Sequence, residues 1–125
     1  MPSFSVHSLT LLGTCHPSLI RLMTEAIKDS PLDFFIVEGH RPVEEELKNI
    51  ANGTSSLKDP LHCRHCLTPS EAVDISPYPE DWENEAKFQK LADHVLAKAD
   101  ELGIAIEWGG HWTHLRDMPH YQLKR

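Results

Sequence analysis

Ile104-Ala105-Ile106-Glu107-Trp108 and His120-Tyr121-Gln122-Leu123 are two short apolar and aromatic stretches with only residues 109–119 between them. Each reads as a strand. The connection is too short for the helical crossover that parallel neighbours need, so the pair is expected to run antiparallel. Upstream, Ala72 to Ile75 and Phe34 to Val37 read as two more short strands, and helical patterns fill the gaps. Between Glu83 and Leu102, the residues Phe88, Leu91, Ala92, Val95, Ala99 and Leu102 recur at helical spacing, and Gly103 closes the run. A second helix begins at Pro17, shows a stripe of Leu19, Ile20, Met23 and Ile27, and stops at Ser30-Pro31. A third opens at Pro42 with Glu44, Glu45 and Glu46 in its favourable first turn. Val43, Leu47 and Ile50 are expected to face inward there, with Gly53 at its end. The order helix, strand, helix, strand, helix, strand, strand predicts an α+β fold, a short antiparallel sheet packed with about three helices.

The bulk properties narrow the function. A chain of 125 residues, 40% hydrophobic and 25% charged, suits one compact domain over 1–125. The net charge of −7 argues against a nucleic-acid binder that relies on phosphate contacts. No apolar run approaches the length of about 18 residues that spans a membrane, so no membrane anchor is expected. The first fifteen positions are apolar in places but lack the basic start of a signal peptide. Leu12-Gly13-Thr14-Cys15 is only a faint lipoprotein box, and synthesis in the cytoplasm without a signal is the expectation. Three cysteines cannot make a full disulfide framework.

Residues 54–70 form a long stretch rich in Ser, Pro, His and Cys, and loops of that length tend to be functional. The chain holds nine histidines. A catalytic zinc takes three N or O ligands and keeps one position open. His65, Asp74 and His120 could supply such a set from a loop, a strand and a strand edge. A carboxylate nearby must then move the proton of the attacking water. Asp117 lies three residues before His120, and side chains three apart on a regular strand point to opposite faces. Asp117 therefore belongs to the irregular entry of that strand, and Pro119 fits a strand start or an edge.

Five pieces occur in a fixed order. They are Glu38-Gly39-His40-Arg41-Pro42, Arg64-His65, Ala72-Val73-Asp74-Ile75, Trp108-Gly109-Gly110 and Asp117-Met118-Pro119-His120-Tyr121. Together they resemble the zinc D-Ala-D-Ala carboxypeptidase/dipeptidase family. Ser30 to Phe34, Asn49 to Ser55 and Leu57 to Pro60 are similar to its branch of phage L-alanyl-D-glutamate endopeptidases, the endolysins. The resemblance covers nearly the whole chain and implies a hedgehog/D-Ala-D-Ala peptidase-like fold. It implies zinc on His65, Asp74 and His120, Asp117 as the acidic general base, and Arg41 as the cation that polarises the scissile carbonyl. It also implies a monomeric enzyme that is made in the host cytoplasm and acts on the peptidoglycan stem peptide, in the periplasm or at the wall, after release. Two departures stand out. The family's spacing H-x-x-G-x-A-x-D is longer here by two residues, with Ser70 at the glycine, which a bulge around Thr68-Pro69 would absorb. His111 follows Trp-Gly-Gly where the family often has Asp.

Several alternatives stay open at this level. His62 could replace His65, and Arg41 could instead form a helix-start salt bridge to Glu44 or Glu45. Trp108 and Trp112 suit a core or a cleft wall, and His111 and His114 suit solvent or a cleft lining. Cys63 and Cys66 resemble half of a structural zinc site whose second half is missing, and they are also spaced for a local disulfide. On function, a D-Ala-D-Ala carboxypeptidase and a non-catalytic zinc or wall-binding module are the rivals.

Overall fold

The structure is a computed structural model and describes residues 3–53, 63–113 and 116–124. Eight main elements follow in order: α1 (Val6–Leu12), α2 (Pro17–Lys28), β1 (Phe34–Glu38), α3 (Val43–Ala51), β2 (Ala72–Pro77), α4 (Glu85–Leu102), β3 (Ile106–Trp108) and β4 (His120–Leu123). Short 3-10 turns at Arg64–Cys66 and Gly109–His111 interrupt the connections. The strands form one sheet in the order β1-β2-β4-β3, with every neighbouring pair antiparallel. The expected α+β class and the antiparallel β3–β4 pair both hold. β4 lies inside the sheet, so Pro119 marks a strand start and not an edge.

One face of the sheet is apolar and carries α2 and α4. Leu19, Leu22, Met23 and Ala26 of α2 meet Leu91, Ala92, Val95 and Ala99 of α4 over Phe34, Ile36, Val73, Ile75, Trp108 and Tyr121. Side chains alternate along a strand. With Val73, Ile75 and Tyr121 turned to the helices, Asp74 and His120 must point to the opposite face. The register places Asp74 directly across from His120, Ala72 across from Gln122, and Gln122 across from Glu107. The face opposite these two helices therefore carries Asp74, His120, Gln122 and Glu107.

α2 begins at Pro17 as expected, and its N-cap is the ring nitrogen Nδ1 of His16, which accepts from Ser18 N at 3.0 Å. Asn84 caps α4, and Gly103 ends it in the left-handed conformation at φ 71°.

Two expectations need correction. α1 is a fourth helix that the sequence pattern did not announce. Its Val6 and Leu9 are exposed, and its contact with the sheet is partly polar: Ile36 N of the edge strand β1 donates to Ser8 Oγ at 3.1 Å. That contact satisfies a backbone donor an edge strand would otherwise expose. Cys15, just after α1, is buried in the core, where Leu12 and Gly13 form the end of the helix. The second correction concerns α3. Val43 and Leu47, expected inside, are 45% and 50% exposed, while Glu46 is fully buried. A charged partner, described below, draws that face inward. No described helix is long and apolar enough to cross a membrane.

This packing predicts opposite outcomes for two leucines. Leu47→Gln should change unfolding free energy by no more than about 0.5 kcal/mol, as for other exposed positions. Leu22→Ala should cost about 2–5 kcal/mol through a cavity at the α2–α4 contact. Denaturant unfolding of the two variants checks this, and a large loss for Leu47→Gln would place α3 differently.

Candidate metal centre and active site

Three elements bring three side chains to one point. β2 and β4 present Asp74 and His120 as a cross-strand pair, and the 3-10 turn at Arg64–Cys66 presents His65. That turn is pinned at several points. Arg41 N donates to His65 O at 2.8 Å, Glu71 N donates to Arg64 O at 3.1 Å, and the Arg64 guanidinium reaches Leu123 O at 2.9 Å. Asp74 Oδ1 then lies 3.1 Å from Nε2 of His65 and 3.1 Å from Nδ1 of His120. The three donor atoms lie within 4.8 Å of one another.

The outer nitrogens of both rings are already engaged. Nδ1 of His65 is 2.7 Å from the Gly39 carbonyl oxygen, and Nε2 of His120 is 2.8 Å from Gln122 Oε1. A neutral imidazole has one N–H. Spent on these outer acceptors, it leaves a lone pair on each ring facing the Asp74 carboxylate. Two lone pairs and an anion at one point need positive charge between them. Without a metal, protons supply it. Burial alone would raise the Asp74 carboxyl, but hydrogen bonds from His120 and His65, with their charge, hold it far below the usual carboxylate range. Burial would lower the His120 ring, and the hydrogen bond and charge of Asp74 raise it instead. Two imidazoles and one carboxylate equally fit a divalent transition metal, so the group could hold a metal ion.

Asp117 enters from the turn before β4, as its spacing required. Its N donates to Gly109 O at 3.0 Å, and its own carbonyl accepts from His120 N at 3.3 Å. Gly109 is needed for this approach, because a Cβ there would overlap the Asp117 carbonyl. Burial raises the Asp117 carboxyl, and the Asp74 charge adds to this, while His120, His65 and Arg41 oppose it. Asp117 is thus within electrostatic reach of the whole cluster without being one of the three converging groups.

Arg41 is held by two carboxylates, neither of them Glu44 nor Glu45. Its Nε and Nη2 form a fork with Glu38 at 2.7 and 2.9 Å, and its Nη1 reaches the buried Glu46 at 3.1 Å. The Glu38 hydrogen bonds outweigh burial and raise the guanidinium further above its ordinary range. A bulge places Glu38 where it can do this. Ile36 pairs with Ile75 but Glu38 pairs with Asp74, two residues against one, which turns Glu38 toward the polar face. A guanidinium has five N–H donors. Nε and one N–H of Nη2 serve Glu38, and Nη1 serves Glu46 and, at 4.0 Å, Cys63 Sγ, so among the described residues one Nη2 N–H is left over.

The family model of the phage L-alanyl-D-glutamate peptidases matches residues 2–123. The chain belongs to this family. It is 36% identical to the L-alanyl-D-glutamate peptidase of Escherichia phage T5, over 98% of this chain and 89% of that protein. Its fold is also similar to the crystal structure of the Serratia marcescens L-Ala D-Glu endopeptidase ChiX. The TM-score is 0.84 at 32% identity, covering 98% of this chain and 90% of that one. The expected branch of the wider resemblance is therefore the one that matches.

Within this peptidase scaffold, Trp108 is core, with its indole N–H on Met118 O at 2.6 Å. Trp112 packs on the His120 ring at 5.3 Å between centroids and forms a wall of the site. His111 is exposed and packs edge-on to Trp108 at 4.8 Å. His62 and His114 lie outside the described residues. The two extra residues between His65 and Asp74 do not separate them. Cys63 and Cys66 are free thiols. Burial and the neighbouring Cys63 push the Cys66 thiol up to about 12. Among the described residues, the grouped metal donors are His65, Asp74 and His120 alone.

Sequence reasoning gave no role to Glu38, Glu46, Gln122 or Glu107. The signal for Gln122 was present: it lies two residues from His120 on the same strand and so shares its face.

The clamp on Arg41 sets an expectation. Arg41→Ala takes one cation from buried Glu46 and the forked partner from Glu38, and should cost about 1–3 kcal/mol of stability. Arg41→Lys keeps a charge but loses the fork with Glu38, and should be the milder change. Thermal or denaturant unfolding of the pair checks this, and an unchanged stability for Arg41→Ala would show that the clamp is not structural.

Proposed function

We propose that the chain is a zinc endopeptidase that hydrolyses the L-Ala–D-Glu bond in the stem peptide of bacterial peptidoglycan, as an endolysin acting at the cell wall. The observation that carries this is the convergence of His65, Asp74 and His120 beside Asp117 and Arg41, in a member of the L-alanyl-D-glutamate peptidase family. Under this reading the three converging residues are the zinc ligands. A zinc ion held by them supplies Lewis acidity for hydrolysis of the peptide bond.

The protein's own groups do the rest. Asp117 accepts a proton from the attacking water and returns it to the leaving amine of D-Glu. Burial suits it to both halves of that task, since a carboxyl raised from its ordinary range holds a proton more readily than an exposed one. Arg41 offers the remaining N–H of Nη2 to the carbonyl oxygen as negative charge develops there. The fork with Glu38 and the contact with Glu46 keep the guanidinium from reorienting during the reaction. Trp112 screens one side of His120 from water. A non-catalytic binding module would have no use for Asp117, which is why the enzyme reading is favoured.

The test measures zinc content and wall digestion on one preparation of Asp117→Asn. The variant should fold, keep zinc near the wild-type stoichiometry, and lose cleavage by at least about 100-fold, the lower end for general acid–base catalysis. Product analysis of the wild type on purified muropeptides should show a new N-terminal D-Glu. Released D-Ala would point to a carboxypeptidase, and near-normal activity of Asp117→Asn would move the base elsewhere.

A further inference from the structure

The outer nitrogen of His120 begins a hydrogen-bonded relay that continues beyond the ligand set. Nε2 of His120 meets Gln122 Oε1 at 2.8 Å, and Gln122 Nε2 donates in turn to the Glu107 carboxylate through a short hydrogen bond. All three residues sit on the polar face of the sheet. His120 and Gln122 are two apart on β4, and Gln122 and Glu107 are cross-strand partners between β4 and β3. Alternation and register therefore deliver the relay.

We propose that Gln122 and Glu107 are positioning residues that fix the tautomer of His120. This rests on the assignment of His120 as a zinc ligand. A glutamine amide can be turned either way, with oxygen or nitrogen toward the ring. Glu107 is an acceptor only, so it takes the amide N–H₂ and turns the oxygen toward His120. An oxygen there accepts from Nε2–H, which keeps the proton on Nε2 and the lone pair on Nδ1, the nitrogen that faces Asp74. With the amide reversed, an N–H would meet Nε2 and favour the proton on Nδ1, the wrong form for a ligand. His65 reaches the same end differently, through the Gly39 carbonyl, which cannot turn over. His120 has a side-chain acceptor in that place and needs a further residue to set its direction. Ligand histidines in general depend on such outer partners, whose loss typically weakens metal affinity by about 10- to 100-fold.

The experiment uses the full chain with Gln122→Leu, Glu107→Leu and Glu107→Gln. The first readout is the His120 ring in the zinc-loaded protein, from imidazole nitrogen NMR, which identifies the nitrogen that keeps its proton and how fast that proton exchanges with solvent. The second is zinc affinity, from competition with a chromogenic chelator. Folding is checked by circular dichroism, and both positions are only partly buried. The wild type should show the Nε2–H form. Gln122→Leu and Glu107→Leu should leave that proton faster to exchange and bind zinc about 10- to 100-fold more weakly. Glu107→Gln can still accept through its amide oxygen and should restore most of both. A folded Gln122→Leu with wild-type zinc affinity, or with an Nε2 proton as protected as in the wild type, overturns the relay. A wild type whose bound zinc leaves His120 uncoordinated overturns the ligand assignment instead.

Discussion

A single carboxylate oxygen, Oδ1 of Asp74, faces two imidazole nitrogens at 3.1 Å each. Much of the fold follows from holding that contact. Two lone pairs and a negative charge repel unless protons or a metal ion lie between them, so the surrounding structure must keep the three groups together by other means. The β2–β4 ladder does this for Asp74 and His120, and a turn anchored to Arg41 N and Leu123 O does it for His65. The helices contribute from the far side of the sheet. By taking Val73, Ile75 and Tyr121 into the core they leave Asp74 and His120 no face but the polar one.

The same face carries a second electrostatic arrangement, built around Arg41. A bulge in β1 turns Glu38 into the plane of the site, and α3 brings Glu46 into a fully buried position. The two carboxylates fix the direction of the guanidinium. α3 is placed by this ion pair more than by apolar contact, which accounts for the exposure of Val43 and Leu47. Glycine enters where backbone must come close. Gly39 lies against Leu11 O and the Thr14 hydroxyl, where any side chain would collide, and it offers its carbonyl to His65.

The strands and the long helices were legible because their burial is one-sided and periodic. α2 and α4 carry apolar stripes at helical spacing, and β4 runs from His120 to Leu123 as the sequence suggested. α1 was not legible, because its inward face includes Ser8 and its Val6 and Leu9 look outward. α3 was legible as a helix but not in its orientation, since an apolar pattern cannot reveal a buried Glu46 whose partner lies in the preceding loop. At the site, His65, Asp74 and His120 converge as the resemblance implied, despite the longer spacing between His65 and Asp74, and Asp117 stands beside them. The groups that orient them were hidden. Glu38 depends on a bulge, and Glu107 depends on a cross-strand register, neither of which is written in local spacing.

The central claim is that one metal ion sits on two imidazoles and one carboxylate. Zinc K-edge absorption on the purified protein, joined to anomalous diffraction from its crystals, tests it most directly. The account predicts one zinc per chain, bound by Nε2 of His65, Nδ1 of His120 and the Asp74 carboxylate, with a light oxygen atom in the remaining position and no sulfur. Zinc bound through Cys63 and Cys66 sulfur, or a protein that digests peptidoglycan at full rate with no metal at His65, Asp74 and His120, would contradict it.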